Sequence, residues 1–109
     1  MLKKTQRVSR ADFATFFKKG TRHHSDHATV VVSPFPTFHG SVVVSKKVSK
    51  LAVTRNTLRR RVYAQLAALK KQNHTGVYIV VLKPSFATLT KNEAAEQMAR
   101  LIVRTVKSA

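Results

Sequence analysis

The chain has 109 residues, of which 21 are Lys or Arg and only four are acidic, so its formal net charge is +17. It has no cysteine, which excludes disulfides and thiolate metal sites and is compatible with a reducing cytoplasm. A hydrophobic content of 43% is ordinary for a globular protein, and this length suits one domain, expected to span residues 1–109. Because so one-sided a charge repels itself, we expect a polyanionic partner, with nucleic acid first and an anionic membrane second.

No segment has the pattern of a membrane span or of a secretory signal. The longest uninterrupted apolar run, Val77 to Leu82, is far below the ~20 residues that a span requires. The basic N-terminal segment is not followed by an apolar stretch. The sequence therefore predicts a soluble, cytoplasmic protein.

A short helix is predicted near the start of the chain. Ser9 with an acid three residues later is typical of a helix N-cap, and Gly20 is placed to end the helix, so we expect it over Arg10 to Lys19. Three phenylalanines recur in it at helical spacing: Phe13, Phe16 and Phe17. Such rings either pack in the core or stack on unpaired bases at about 1 to 3 kcal/mol per base, and the residues leave both readings open.

Valine-rich runs predict the strands. Two of them, Ala28 to Ser33 and Ser41 to Ser45, are separated by prolines and a glycine, which favours a hairpin. A third strand is predicted over Val77 to Leu82, with Pro84 ending it. The polar segment TRHHSDH, which precedes the first of these strands, is predicted to be an irregular loop.

The segment Lys46 to Arg61, KKVSKLAVTRNTLRRR, has seven Lys or Arg residues and no acid in sixteen positions. Its second half opens a helix, and at 100° per residue four apolar side chains fall within about 80° of one another: Leu58, Val62, Leu66 and Leu69. The opposite face is predicted to be exposed and carries Asn56, Arg59, Arg60, Tyr63, Lys70 and Lys71. Cations on a rigid frame bind phosphates with release of counterions, so this segment predicts a nucleic-acid-binding surface.

A capping box of Thr90 and Glu93 starts a last helix, which completes the order α, β, β, α, β, α. This order predicts an α+β fold with helices packed on a small sheet. Capping explains Glu93 and Glu96 better than acid/base chemistry does, and we predict no catalytic side chain. A polar cluster has zinc-type ligands but no matching second cluster, so we predict an anion-binding role and no metal for it: His23, His24, Asp26 and His27.

The basic segment resembles the signature of the bacterial ribonuclease P protein subunit. The sequence SKKVSKLAVTRNTLRR is similar to the family pattern Ala-Val-x-Arg-Asn-Arg-x-Lys-Arg preceded by Ser-Lys-Lys. The resemblance covers almost the whole chain, because the family's first helix and a later strand ending in Lys-Pro are matched by Asp12, Phe13, Phe17 and Gly20 and by Tyr78 to Pro84. It implies a small α/β sandwich in the order α-β-β-β-α-β-α, one strand more than the residues predict, with a left-handed βαβ crossover around the basic helix.

The resemblance implies a subunit of the endoribonuclease that removes the 5′ leader from precursor tRNA, with the chemistry carried by a catalytic RNA and by Mg²⁺ bound mainly to that RNA. The protein is implied to lower the Mg²⁺ requirement and to favour precursor over product, and we predict no stable protein partner. The residues implied to face the catalytic RNA are Lys46, Lys47, Lys50, Arg55, Asn56, Arg59 and Arg60. A cleft for the leader is implied beside Phe13 and Phe17, with Thr29 and Val31 on the neighbouring strand.

Two residues depart from the family pattern. Thr57 stands where the family usually has Arg, and we hypothesise that Arg61 takes over part of that RNA contact. Val31 stands where an aromatic residue can occur, which weakens the expectation of leader stacking there. The alternative is a ribosomal or other structural RNA-binding protein, which needs no leader cleft. A peripheral membrane protein is disfavoured, because the apolar stripe of the basic helix is needed to cover the sheet.

Overall fold

The computed structural model describes residues 10–72 and 74–108. These residues form an α+β fold, as predicted, and its helices and strands are α1 (Arg10–Lys19), β1 (Thr21–His24), β2 (Ala28–Ser33), β3 (Phe38–Val43), α2 (Ala52–Lys71), β4 (Gly76–Leu82) and α3 (Lys91–Ser108), with a 3₁₀ helix at Pro84–Thr88. The bounds predicted for α1 and β2 are confirmed. The predicted N-cap of α1, Ser9, lies outside the described residues.

The four strands form one sheet in the order β1-β2-β4-β3, in which only the β3–β4 pair is parallel. The predicted hairpin of β2 and β3 is wrong, because β4 lies between these strands and pairs with both. The predicted strand Ser41 to Ser45 begins earlier, at Phe38, and ends at Val43. The prediction of a loop over TRHHSDH is also wrong in its first half, where β1 supplies the extra strand that the resemblance implies.

The sheet is covered on both faces. Alternate residues of β2 point to opposite sides, so Val30 and Val32 join α2 and α3 in the larger core cluster, whereas Val31 joins the smaller cluster beneath α1. Helix α2 connects the parallel strands β3 and β4, as the implied βαβ crossover requires, and its left-handedness stays a prediction. Across the two described ranges, no helix has the length and apolarity to cross a membrane.

Helix α2 buries the predicted apolar stripe, but the prediction that Tyr63 is exposed is wrong. Its side chain was expected on the exposed face and is only 6% exposed. The backbone N–H of Val42 donates to the Tyr63 hydroxyl at 3.3 Å. Since β3 has a partner strand on one side only, the phenol covers part of the other side and satisfies a backbone donor there.

The capping box at the start of α3 is confirmed. The Thr90 N–H donates to Glu93 Oε1 at 2.9 Å, and the Glu93 N–H donates to the Thr90 hydroxyl at 3.2 Å. The hydrogen bond from the Thr90 backbone to the carboxylate first, and the interaction of the carboxylate with the Thr90 side chain second, lower the pKa of Glu93 below its ordinary value of 4.5, and an electrostatic contribution from His27 acts in the same direction. The ionised carboxylate is therefore the form that stabilises the folded helix.

We expect the stabilising effect of Glu93 to depend on pH. Because its folded-state pKa is depressed, the effect is fully present above the unfolded-state value and is lost as pH falls through the folded-state pKa. Glu93→Gln should therefore lower the urea midpoint at about pH 7, and this deficit should shrink progressively as the pH falls below the ordinary Glu pKa of 4.5. Glu96→Gln, which removes the same charge without touching the cap, is the control, and a Glu93 deficit that does not change with pH would contradict the assignment.

Candidate nucleic-acid interface

The predicted RNA-facing residues lie together at the end of β3 and on the first turns of α2. We call them the basic surface: Lys46, Lys47, Lys50, Arg55, Asn56, Arg59, Arg60 and Arg61. The three lysines, Asn56, Arg60 and Arg61 are exposed, and the other two arginines are half-buried. The described residues place no acid within this segment, so its cations have no local counter-charge.

Arg55 holds the loop that carries the lysines. Its Nη1 donates to the carbonyl oxygens of Ser49 at 2.9 Å and of Lys50 at 3.0 Å, and so ties the loop to the first turn of α2. On the other side of the loop, the side chain of Val48 is 6% exposed and belongs to the larger core cluster. Arg55, which sequence reasoning predicted only as an RNA contact, thus also fixes the frame on which the lysines stand.

The first turn of α2 leaves backbone donors open to an anion. Its N-cap residue, Leu51, makes no side-chain cap, and no acid lies in the first turn. Such unpaired N–H groups and the positive end of the helix dipole favour phosphate. Nearby, Arg59 Nη1 donates to Asn56 Oδ1 at 2.7 Å, which holds a cation and an amide side by side.

Thr57 and Arg61 are one turn apart on α2. The Thr57 hydroxyl donates to the Val53 carbonyl at 3.0 Å and so stays against the helix backbone. Helical side chains lean toward the N-terminus, so the exposed Arg61 covers the surface beside Thr57. That Arg61 serves where the family arginine is missing stays a hypothesis.

Sequence reasoning missed two exposed apolar residues beside these cations. Leu51 is 67% exposed and Val53 is 77% exposed. The exposure of Val53 could have been predicted, because at 100° per residue it falls on the side of α2 away from the apolar stripe. Both side chains offer apolar contact area within a charged surface.

The side of the sheet that α1 covers forms a second candidate surface, which we call the aromatic face. The rings of Phe13 and Phe17 are stacked with centroids 5.5 Å apart and planes 17° apart. The Arg22 guanidinium lies 4.3 Å from the Phe17 centroid and donates to the Phe17 carbonyl at 3.1 Å. Half-buried rings with a cation against one of them suit an unpaired strand of nucleic acid.

Thr29 and Val31 also belong to the aromatic face, but they lie in its floor. Val31 is 1% exposed and Thr29 is 8% exposed. They pair across β1 and β2 with His24 and Arg22, and His24 Nδ1 lies 3.0 Å from the Thr29 hydroxyl. Sequence reasoning missed Arg22, and it read His24 only within the loop cluster; recognition of β1 would have placed both on this face through strand alternation.

The four residues of the polar cluster do not converge. His23 and His24 are neighbours in a strand and so point to opposite faces of the sheet. Ser85 Oγ donates to the Asp26 carbonyl, which leaves His27 Nδ1 as the donor to Ser85 Oγ at 2.9 Å. Among residues 10–72 and 74–108, no group of three or more His, Asp or Glu side chains is arranged to hold a metal ion.

Comparison with known proteins identifies the family of the chain. The model of the family Ribonuclease P matches residues 2–106 of the chain. A ribonuclease P protein component from Pseudanabaena sp. (strain PCC 6903) is 38% identical over 82 residues, which cover 72% of this chain and 71% of that protein. A second, from Microcystis aeruginosa (strain NIES-843), is 29% identical over 103 residues, covering 87% and 85%.

Solved structures show the same fold. A Staphylococcus aureus RNase P protein mutant with defective mRNA degradation activity aligns with a TM-score of 0.85 at 22% identity, covering 94% of this chain and 89% of that one. The S. aureus RNase P protein itself aligns with a TM-score of 0.76 at 23% identity, covering 94% and 93%. The chain belongs to the ribonuclease P protein family, the protein subunits of the holoenzyme that processes the 5′ end of tRNA.

Proposed function

We propose that the basic surface docks this subunit onto the catalytic RNA and that the aromatic face holds the 5′ leader of precursor tRNA. The observation that carries the first part is the loop fixed by Arg55, which presents Lys46, Lys47 and Lys50 on a frame that needs little ordering when RNA binds. Each phosphate that these cations neutralise releases condensed counterions. A preorganised, acid-free surface is therefore suited to an RNA backbone.

The aromatic face supports the second part of the proposal. Phe13 and Phe17 offer ring surface for unpaired bases, and Arg22 adds a cation against that surface. Thr29 and Val31, being buried beneath, contribute by shaping the floor. Mature tRNA has no leader to lay on this face, so binding there favours precursor over product.

The four acids of the chain do not build a magnesium site. Asp12 lies in α1, Asp26 in the β1–β2 turn, Glu93 in the helix cap and Glu96 in an ion pair with Arg100. In this proposal Mg²⁺ belongs to the RNA, where it activates water for hydrolysis of the phosphodiester. The chain contributes cations that offset repulsion between catalytic RNA and substrate, and this lowers the Mg²⁺ concentration that the holoenzyme needs.

The test is leader removal from a precursor tRNA by ribonuclease P RNA at low Mg²⁺, with and without this chain. We expect the chain to restore cleavage, Arg59→Ala to weaken the rescue, and RNA affinity to fall with salt at a slope of about 0.7 to 0.9 per phosphate contacted. The control is Lys91→Ala with Arg100→Ala, which removes two exposed cations from α3 instead. A folded chain that binds the RNA without restoring cleavage would contradict the proposal.

A further inference from the structure

A cavity of about 590 Å³ lies at the end of the sheet opposite the basic surface. It opens where β2 ends and β4 begins, whereas the basic surface follows the other end of β3, and β3 and β4 run parallel. A six-residue strand such as β3 separates the two ends by about 17 Å at 3.3 Å per residue. The cavity is therefore distinct from the basic surface, and its volume falls in the range of about 300 to 1,000 Å³ that is typical of ligand sites.

The polar groups of this cavity are suited to an anion. Of the five histidines in the chain, three have side-chain partners, namely Thr29 for His24, Ser85 for His27 and Thr37 for His39. The other two, His23 and His74, line the cavity, and their imidazoles have no hydrogen-bond partner among the described residues. None of the lining residues is acidic.

Lysines lie close to the cavity along the chain. Lys18 and Lys19 end α1 just before Thr21, which lines the cavity. Lys70 and Lys71 end α2 shortly before His74. All four lysines are exposed, and each lies within a few residues of a cavity-lining residue along the chain.

An aromatic side chain in the cavity adds a surface on which a base can stack, which a simple anion site does not need. Phe35 lines the cavity and is 40% exposed, on a loop stiffened by the prolines on either side of it. Its ring is held edge-to-face by Phe16 at 5.6 Å and by His39 at 5.3 Å. A rigid, partly exposed ring beside hydroxyl groups of Thr75 and Tyr78 is suited to stacking and hydrogen bonding of a nucleobase.

We propose that this cavity binds one nucleotide of unpaired RNA, with the base against Phe35 and the phosphate toward His23 and His74. The cavity lies on the face of the sheet that α2 and α3 cover, with Val32 and Tyr78, whereas Phe13 and Phe17 lie on the other face. Phe35 lies beyond the end of β2 and contacts Phe16 of the aromatic face, so a strand that leaves the aromatic face at this end of the sheet meets Phe35 first and then the cavity. The occupant is then either the part of the leader far from the cleavage point or a separate single strand. Only the first of these sources rests on the function proposed above.

The direct test follows the ring resonances of all histidines by NMR in the full chain while oligouridylate is added. We expect shifts at His23 and His74, and about tenfold weaker binding for Phe35→Ser, since base stacking contributes about 1 to 3 kcal/mol. His27→Gln, at the opposite end of the sheet, is the matched control for His74→Gln, and the amide spectrum of each variant reports whether it is folded.

Two results would overturn the proposal. One is oligouridylate binding that leaves the signals of His23 and His74 in place. The other is inorganic phosphate reproducing the full effect in both the parent chain and Phe35→Ser, because this would show a simple anion site.

The source of the strand is tested with the holoenzyme and precursor tRNAs of increasing leader length. If longer leaders strengthen binding by the parent chain but not by Phe35→Ser, the leader occupies the cavity. The other outcome is that oligouridylate shifts the ring signals of His23 and His74 while leader length has no effect on the difference in affinity between the parent chain and Phe35→Ser. In that case the cavity takes a separate strand, and the site assignment still stands. Affinity for the catalytic RNA alone, measured on the same variants, reports separately on the docking surface and should not change.

Discussion

Arg61→Ala is expected to weaken binding of the ribonuclease P RNA about tenfold. A hydrogen bond to a charged group contributes about 1.5 to 3 kcal/mol, and 1.4 kcal/mol corresponds to a factor of ten in affinity. Arg61 is exposed on α2, one turn beyond Thr57, whose short hydroxyl donates to the Val53 carbonyl of the helix backbone. The measurement is a salt titration of RNA affinity, in which the loss of one phosphate contact should reduce the slope by about 0.7 to 0.9.

A second change shows whether Arg61 replaces the family arginine. Thr57→Arg, introduced into the Arg61→Ala chain, should restore most of the lost affinity and the lost salt slope. Arg100→Ala is the control, because it removes an exposed cation from α3 and should leave both quantities near those of the parent chain. Undiminished affinity of Arg61→Ala, or failure of Thr57→Arg to compensate, would refute the assignment.

Gly20→Ala is expected to destabilise the fold by about 1 to 3 kcal/mol, the usual cost of overpacking. A Cβ on Gly20 would clash with Val31 Cγ1 and would lie 3.0 Å from both the Phe16 carbonyl oxygen and Ser33 Oγ. Either α1 or β2 must therefore shift, and with α1 the rings of the aromatic face. Thermal unfolding should show a decrease of about 5 to 20 °C in Tm, with reduced preference for precursor over mature tRNA.

A double-mutant cycle identifies the contact that is responsible. Val31→Ala removes the nearest clashing atom, so the double variant should be more stable than the sum of the single effects predicts, by about 1 kcal/mol. Thr15→Ala, an exposed change in the same helix, is the control. Strict additivity of the two changes would contradict the proposed clash, and lost affinity for the catalytic RNA would show that the damage reaches the basic surface as well.

Local sequence signals predicted the elements whose physics is local. The buried stripe of α2, the capping box of α3 and the bounds of α1 each depend on residues within a few turns of one another. The basic surface was predictable for the same reason, since its cations lie within one continuous segment. The residues predicted the order of six elements, and the extra strand and the βαβ crossover came from the resemblance to a family.

The errors concern contacts between distant parts of the chain. Because β2 and β3 follow each other closely in the chain, pairing them was the natural local choice. In the structure β4 lies between them and supplies hydrogen-bond partners to both strands. This pairing depends on the crossover through α2, which is longer than any short sequence window. Strand β1 was not predicted, because an exposed edge strand lacks the alternation of apolar and polar residues by which strands are recognised in a sequence. Tyr63 was misplaced because its partner, the Val42 N–H, belongs to another element.

The contacts of Arg55 with Ser49 and Lys50 have a consequence for the kinetics of assembly. A loop that is already ordered does not have to search for its bound conformation after the two molecules meet. Association is then governed by diffusion and by long-range attraction between a +17 protein and an RNA polyanion, both of which favour rapid encounter. Differences in affinity among variants of the basic surface would accordingly appear mainly in how long the complex persists.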